Sequence, residues 1–106
     1  MIKIDVLNDK DAIKEISLNG HSEYEVSGRD IVCASVSSIL ITTVNAILKI
    51  EQEALLVKQE NTDTIHVNIQ VLKHNTVIDL LLENMLALFE ELILDYPNNV
   101  KIKYRK

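Results

Sequence analysis

The chain has 106 residues, of which 47% are hydrophobic, and a formal net charge of -5. This length and hydrophobic content suffice for one compact core, so we predict a single domain over residues 1–106. The acidic balance argues against binding to a phosphate backbone and favours a basic partner, so we expect no direct contact with nucleic acid.

The cysteine content and the N-terminus bear on the compartment. The chain has one cysteine, Cys33, so no disulfide can form within it and a reducing compartment fits best. Residues 1–6 alternate charged and apolar types, and they lack the basic start and the apolar run of a signal peptide. We therefore expect a cytoplasmic protein.

The first elements predicted along the chain are two strands joined by a turn. Residues 2–6 alternate apolar and polar side chains, which is the period of a half-buried strand. Residues 8–11 supply turn chemistry, and a return strand is predicted from 12 to 18, ended by Gly20. Ile13 falls out of phase with this strand, which predicts an irregularity near the turn.

A long uncharged stretch at residues 31–48 comes next, and its apolar spacing predicts a helix from Asp30 to about Lys49. Its length lies at the lower limit for crossing a bilayer. Six of its eighteen residues are Ser, Thr or Asn, and no aromatic belt brackets it. We therefore predict a helix buried in a core or a dimer interface, and no membrane association.

The second half of the chain repeats the pattern of hairpin and helix. Two strands are predicted within residues 54–71, separated by a turn at 61–63, followed by a helix that Thr76 caps and that runs to Tyr96. A closing strand is predicted at 100–104. The order ββαββαβ predicts an α+β single-domain sandwich, with a mostly antiparallel sheet packed against two long helices. The apolar surface of such helices favours a homodimer.

The residues able to do covalent chemistry flank one short loop. Gly20 and Gly28, the two glycines of the chain, bracket the loop, and we interpret them as its hinges. His21 stands at the entrance of the loop, and Cys33 stands just past its exit. A strand end and a helix start are therefore predicted to face one another.

This placement suggests a nucleophile and its base. If Asp30 is the N-cap, Cys33 is the third helical residue, where first-turn N–H groups stabilise a thiolate and an oxyanion. His21 is the proton acceptor and then the donor to the leaving amine. Asp30 has a second reading as an orienter of His21. Ser37, one turn after Cys33, either lines the pocket or bonds back to the Cys33 carbonyl.

The same segment resembles a known signature. Gly20-His21, Gly28, residues 30–34 and Val36-Ser37 are similar to the motif of the ribosomal-processing cysteine protease family, Prp. The resemblance implies a cysteine endopeptidase that removes the N-terminal extension of a large-subunit ribosomal protein before ribosome assembly, and a homodimer of α/β sandwich subunits. It implies that Cys33 is the nucleophile and His21 the catalytic histidine, with supporting roles for Asp30, Ser37 and the loop glycines.

Other readings of these residues stay open. Cys33, His21 and Asp30 are possible zinc ligands, but their spacing fits no known structural zinc site, and we expect no metal or cofactor. A non-catalytic dimeric module that binds a ribosomal or nascent polypeptide is the leading alternative function. A redox-sensing thiol would lack a resolving cysteine within the chain. His66 and His74 are predicted to be solvent histidines.

Overall fold

The computed structural model of the protein describes residues 1–21, 27–60 and 64–106, and for His21, residues 27–30 and Thr64 it describes the backbone alone. The elements follow the predicted order ββαββαβ, and the predicted turn at 61–63 lies outside the described residues. The elements are β1 (Ile2–Asp9), β2 (Ala12–His21), α1 (Ser27–Ile50), β3 (Leu55–Gln59), β4 (Thr64–Val71), α2 (Thr76–Asp95) and β5 (Val100–Arg105).

The strands within the described ranges form one mixed sheet in the order β3-β4-β2-β1-β5. Strand β5 pairs with β1 in parallel, and the other neighbouring strands pair antiparallel. The parallel pair arises because α2 carries the chain across the sheet before β5 begins. The predicted α+β sandwich with a mostly antiparallel sheet is confirmed.

The first hairpin shows the predicted irregularity. The register of β1 on β2 shifts between Leu7 and Asn8, which pair with Glu15 and Ile13, so the extra residue of the bulge is Lys14, next to Ile13 on β2. The turn is tighter than predicted, because both strands extend until only Lys10 and Asp11 connect them. These two residues have φ angles of 51° and 67°, the left-handed conformation that a two-residue hairpin turn of type I′ requires at both positions.

The core lies between one face of the sheet and both helices. Helix α1 buries one stripe against the sheet, formed by Val32, Val36, Leu40, Thr43 and Ile47. Among the described residues, Ile31–Ile50 is one helix long and apolar enough to cross a membrane by length and composition. The apolar residues of its buried stripe belong to the same core cluster as the sheet residues, whereas Ile31 and Ile41 are exposed, so packing inside this chain accounts for only part of its apolar character.

Helix α2 begins one residue away from the predicted cap. Asn75 is the N-cap, with an extended backbone at φ -152°, and its Oδ1 atom accepts a hydrogen bond of 2.8 Å from the Ile78 N–H. Thr76 is the first helical residue, so its prediction as the cap is wrong. The physical reason is that asparagine is the stronger N-cap residue of the two.

The two helices lie over different parts of the sheet. Helix α1 packs on α2 and on β3, whereas α2 also packs on β5 and β2. Helix α1 therefore covers the half of the sheet that ends at β3.

The face of the sheet away from the helices is polar. There Asn68 Nδ2 donates hydrogen bonds of 2.6 Å to Glu15 Oε1 and 2.9 Å to Ser17 Oγ.

Candidate active site

The thiol of Cys33 is free and half-buried on α1, and it packs against the hydrophobic core. Because α1 begins at Ser27, Cys33 is its seventh residue. The prediction that Asp30 is the N-cap and Cys33 the third helical residue is therefore wrong. Asp30 lies in the first turn, and Cys33 lies one turn further on, beyond the range in which the N-terminal N–H groups are free.

The early start of α1 has a signal in the sequence. Ser27 and Asp30 have the spacing of Ser-x-x-Asp, a pattern that marks helix starts. Gly28 argues against a helix start this early, because glycine in a helix interior is unfavourable by about 1 kcal/mol relative to alanine. That penalty is too small to end a helix that buries a long apolar stripe, so Gly28 lies inside α1.

The side of α1 that carries Cys33 follows from helical geometry. Successive residues turn by about 100° around a helix axis, so Cys33 and Ser37 lie on one flank, next to the buried stripe. The opposite flank faces α2 across an open groove of about 610 Å³, lined by residues including Ile31, Ser38 and Ile39. Since α1 also packs on β3, Cys33 and Ser37 lie on the flank that faces the β3 edge of the sheet.

Ser37 is half-buried one turn after Cys33, so the structure brings these two predicted site residues onto one stripe. A hydroxyl bond to the carbonyl four residues earlier, the alternative considered for Ser37, is made by Ser35 instead. The Ser35 hydroxyl donates 2.8 Å to the Ile31 carbonyl. A supporting role of Ser37 toward a substrate remains a prediction.

His21 is the last residue of β2, and its Cα pairs with Thr64 of β4. The strand therefore continues past Gly20, and the prediction that Gly20 ends it is wrong. The side chains of His21 and Asp30 lie outside the described residues, as do residues 22–26 of the predicted loop. The contact between His21 and Cys33, and the choice between the two roles of Asp30, stay predictions.

Gly20 has a steric reason to be glycine. It is buried in β2 and pairs with Ile2 of β1. A Cβ atom at this position would lie 2.7 Å from Ile2 Cγ1 and 2.8 Å from Ile2 Cα. Since its φ angle is not in the left-handed region, close approach rather than turn geometry requires this glycine. Its interpretation as a hinge has no support from these contacts, and a hinge at Gly28 stays a prediction.

The other two histidines each have a partner on the surface. Nδ1 of His66 lies 2.9 Å from Asn19 Oδ1, and Nδ1 of His74 lies 2.8 Å from Asp79 Oδ1. Within the part of the chain that the structure describes, no three His, Cys, Asp or Glu side chains are grouped so that they could hold a metal ion. The described residues around Cys33 thus present a thiol, a hydroxyl and apolar neighbours.

The position of β3 at the edge of the sheet does not follow from the sequence. Strand β3 pairs only with β4 among the described strands, and its Leu56 and Val57 side chains are 42% and 37% exposed. An exposed apolar strand at a sheet edge is unusual, because unpaired edges invite pairing with other chains. The available signal was the apolar run Leu55–Val57, which indicates a strand but not its place in the sheet.

Comparison with known proteins connects this arrangement to one family. The family model described as "Cysteine protease Prp" matches residues 1–101. The ribosomal processing cysteine protease Prp of Staphylococcus aureus is 29% identical over 107 residues, covering 99% of this chain and 100% of that protein. The match therefore includes β2, α1 and the segment between them.

Two solved structures share the fold over nearly the whole chain. The essential ribosomal processing protease Prp from S. aureus in complex with a substrate peptide has a TM-score of 0.88 and 27% identity. The same protease with a covalently linked product peptide has a TM-score of 0.87 and 28% identity. Both comparisons cover 99% of this chain and 100% of the other.

Proposed function

The chain belongs to the family of the cysteine protease Prp, and we propose that its substrate is a large-subunit ribosomal protein with an N-terminal extension. The chain is a cysteine peptidase of the ribosomal-processing family. Removal of the extension before the protein joins the ribosome is the step that we assign to it. The observation that carries this proposal is the match over 99% of the chain to a relative crystallised with a substrate peptide.

In the proposed mechanism Cys33 is the nucleophile and His21 moves the proton. Cys33 Sγ attacks the scissile carbonyl carbon as His21 takes the thiol proton, and His21 then donates that proton to the leaving amine. The thioester that remains is hydrolysed by water, which regenerates the thiol. A covalently linked product in the S. aureus protease supports a covalent intermediate of this kind. The reaction balances with water alone, so it needs no cofactor.

The surroundings of Cys33 fit a thiol that acts on a peptide. The side chain is half-buried rather than enclosed, and it is the one cysteine of the chain, so no disulfide within the chain competes for it. In this proposal Ser37, on the same flank, contacts a substrate bound there, and Asp30, in the first turn of α1, orients His21. A cytoplasmic location, where thiols stay reduced, suits this chemistry.

We also propose a homodimer that uses the outer surface of the helix layer. Large apolar side chains there are open to solvent: Leu94 is 81% exposed, Leu80 62%, Ile41 56% and Ile31 54%. A soluble protein rarely leaves such a cluster uncovered. Light scattering should find a dimer for the wild type and a monomer for Ile41→Asp. The charge reversal Lys101→Glu, at an exposed position of β5, should leave the dimer intact.

The activity is tested with purified protein and precursors of large-subunit ribosomal proteins. Mass spectrometry should detect one precursor that loses a short N-terminal segment, with no loss when Cys33 is alkylated beforehand. A precursor that binds but stays intact would instead favour a non-catalytic module that holds ribosomal polypeptides. Cleavage that survives alkylation of Cys33 would contradict the assigned nucleophile.

A further inference from the structure

The hydrogen bonds at the two ends of β3 show which of its backbone groups bond to β4. The Leu72 N–H donates 2.7 Å to the Ala54 carbonyl, and the Glu60 N–H donates 3.1 Å to the His66 carbonyl. In an antiparallel pair, every second residue of a strand bonds to its neighbour. The residues of β3 that bond to β4 are therefore the even-numbered ones, Leu56 and Lys58.

The backbone groups of Val57 and Gln59 consequently point away from β4. No strand among the described residues lies on that side, because β3 is at the edge of the sheet. The side chains of these two residues project toward the helix layer, since Leu55, in phase with them, is buried in the core. This edge offers two N–H donors and two carbonyl acceptors beside an apolar surface.

From Leu55 to Gln59, the edge of β3 runs in the direction of the part of α1 that carries Cys33. The chain reverses within residues 51–54 after α1, so β3 runs back along the helix from Leu55 to Gln59. The four steps between the five residues of β3 span about 13 Å, a distance that covers about nine residues along a helix. Ile47, the last buried residue of α1, shares the core cluster with Leu55, and counted back from Ile47 this length reaches the turn of Ser37, one turn from Cys33.

We propose that the edge of β3 binds the peptide substrate as an added strand, through the backbone groups of Val57 and Gln59. This inference rests on the proposed function, in which an extended N-terminal segment is cut at Cys33. Main-chain pairing recognises any extended peptide, and the alternate side chains of the peptide face the flank of α1 that carries Cys33 and Ser37. Strand β3 thereby sets the direction in which the substrate passes the nucleophile.

A second copy of the chain is the competing occupant of this edge. Two β3 strands could pair with one another, as exposed edges often do. The strand is short and carries Lys58, features that oppose pairing between identical edges. The large exposed apolar side chains of the helices offer a second copy a separate surface, so the edge is left for the peptide.

Amide hydrogen exchange on the Cys33→Ala protein tests the proposal without cleavage. The probe is a synthetic peptide that spans the N-terminal extension and the following residues of the ribosomal-protein precursor from the same organism. We expect slower exchange of the Val57 and Gln59 amides when the peptide is added. The Leu56 and Lys58 amides, already bonded to β4, should change little and serve as internal controls.

Each result of this measurement decides the proposal. Unchanged exchange at Val57 and Gln59, whether the peptide binds elsewhere or not at all, overturns it. Protection that is present without peptide and depends on protein concentration assigns the edge to a second copy and also overturns it. Because binding is read without turnover, cleavage by the wild type with no protection of β3 rejects this inference alone, and protection without cleavage rejects the proposed function alone.

A pair of variants gives a kinetic test in the active enzyme. Gln59→Pro removes an N–H that points away from β4, so the β3–β4 pairing is retained, whereas Gln59→Ala keeps that N–H and removes the side chain. We expect KM to rise about tenfold for Gln59→Pro, the effect of one lost hydrogen bond, with kcat little changed. Equal KM values for the two variants contradict main-chain pairing. If Gln59→Pro does not fold, the exchange measurement decides.

Discussion

The backbone of Ile2 approaches Gly20 so closely that a Cβ atom on Gly20 would lie 2.8 Å from Ile2 Cα. We expect Gly20→Ala to reduce the free energy of unfolding by about 1–3 kcal/mol, because the β1–β2 pairing must shift to make room. Urea denaturation measures this loss. Asn19→Ala, at the exposed neighbouring position, is the matched control and should cost much less.

A double variant separates the backbone contact from the side-chain contact. Ile2→Ala removes the Cγ1 atom, which would lie 2.7 Å from a Cβ atom on Gly20, but it leaves the Ile2 Cα atom in place. Ile2→Ala should therefore fail to restore stability to Gly20→Ala. A full rescue would show that the flexible side chain, and not the backbone, is what requires glycine here.

Replacing the thiol of Cys33 should abolish cleavage and leave the fold intact. Cys33→Ala removes only one sulfur atom from a half-buried position, so we expect a loss of stability within about 1 kcal/mol. Cys33→Ser keeps the shape but replaces the thiolate with a poor nucleophile. Precursor cleavage and thermal unfolding are measured together for both variants. Near wild-type activity in either one would refute the nucleophile assignment.

Removing the imidazole of His21 should lower kcat and change KM little. General acid–base catalysis contributes about 10²–10⁴-fold and acts in the transition state, so a loss of that size is expected in His21→Ala. The chain provides two matched controls in His66→Ala and His74→Ala, since both side chains have surface partners. An effect confined to KM, or an equal loss in a control, would count against His21 as the base.

The hydroxyl of Tyr104 should make stability depend on pH in the alkaline range. Burial raises the pKa of Tyr104 to about 12, and its 2.7 Å hydrogen bond to Glu90 acts in the same direction. The unfolded chain, whose tyrosine has a pKa of about 10, loses its proton first. This contribution to stability is therefore complete below pH 10 and disappears as the pH rises toward 12.

Tyr104→Phe isolates that contribution from the other groups that titrate in alkali. Chemical denaturation at a series of pH values should show a steeper fall in the free energy of unfolding for the wild type than for the variant. Parallel curves between pH 10 and pH 12 would mean that the bond between β5 and α2 does not form in solution.

The N-cap of α2 offers a test of local stability. Asn75→Ala removes the acceptor for the Ile78 N–H, and we expect a loss of about 1 kcal/mol in the free energy of unfolding. Thr76→Ala, one residue on and inside the helix, should be neutral or slightly stabilising, because alanine is the better helix former. If Thr76→Ala proved the more harmful change, threonine rather than asparagine would be the functional cap.

The helices and strands and their order follow from local sequence patterns, because each element buries one face and therefore carries a local period. The alternation at residues 2–6 and the helical spacing after residue 31 record which side chains meet the core. The bulge near Ile13 was predictable for the same reason, since an inserted residue breaks the period. The segment from Gly20 to Ser37 also carried the family signature, and with it the assignment of Cys33.

Which strands lie side by side, and which way each flank of a helix faces, depends on contacts between residues that are distant in the sequence. The edge position of β3 depends on β4 pairing with β2, two elements far apart in sequence. The need for glycine at position 20 depends on the distance to Ile2, which no local pattern records. The start of α1 at Ser27 differs from the predicted start at Asp30 because packing along the whole helix outweighs a glycine in its first turn. The period of apolar residues is set by neighbours in the sequence, whereas the distance between two elements is set by the fold of the whole chain.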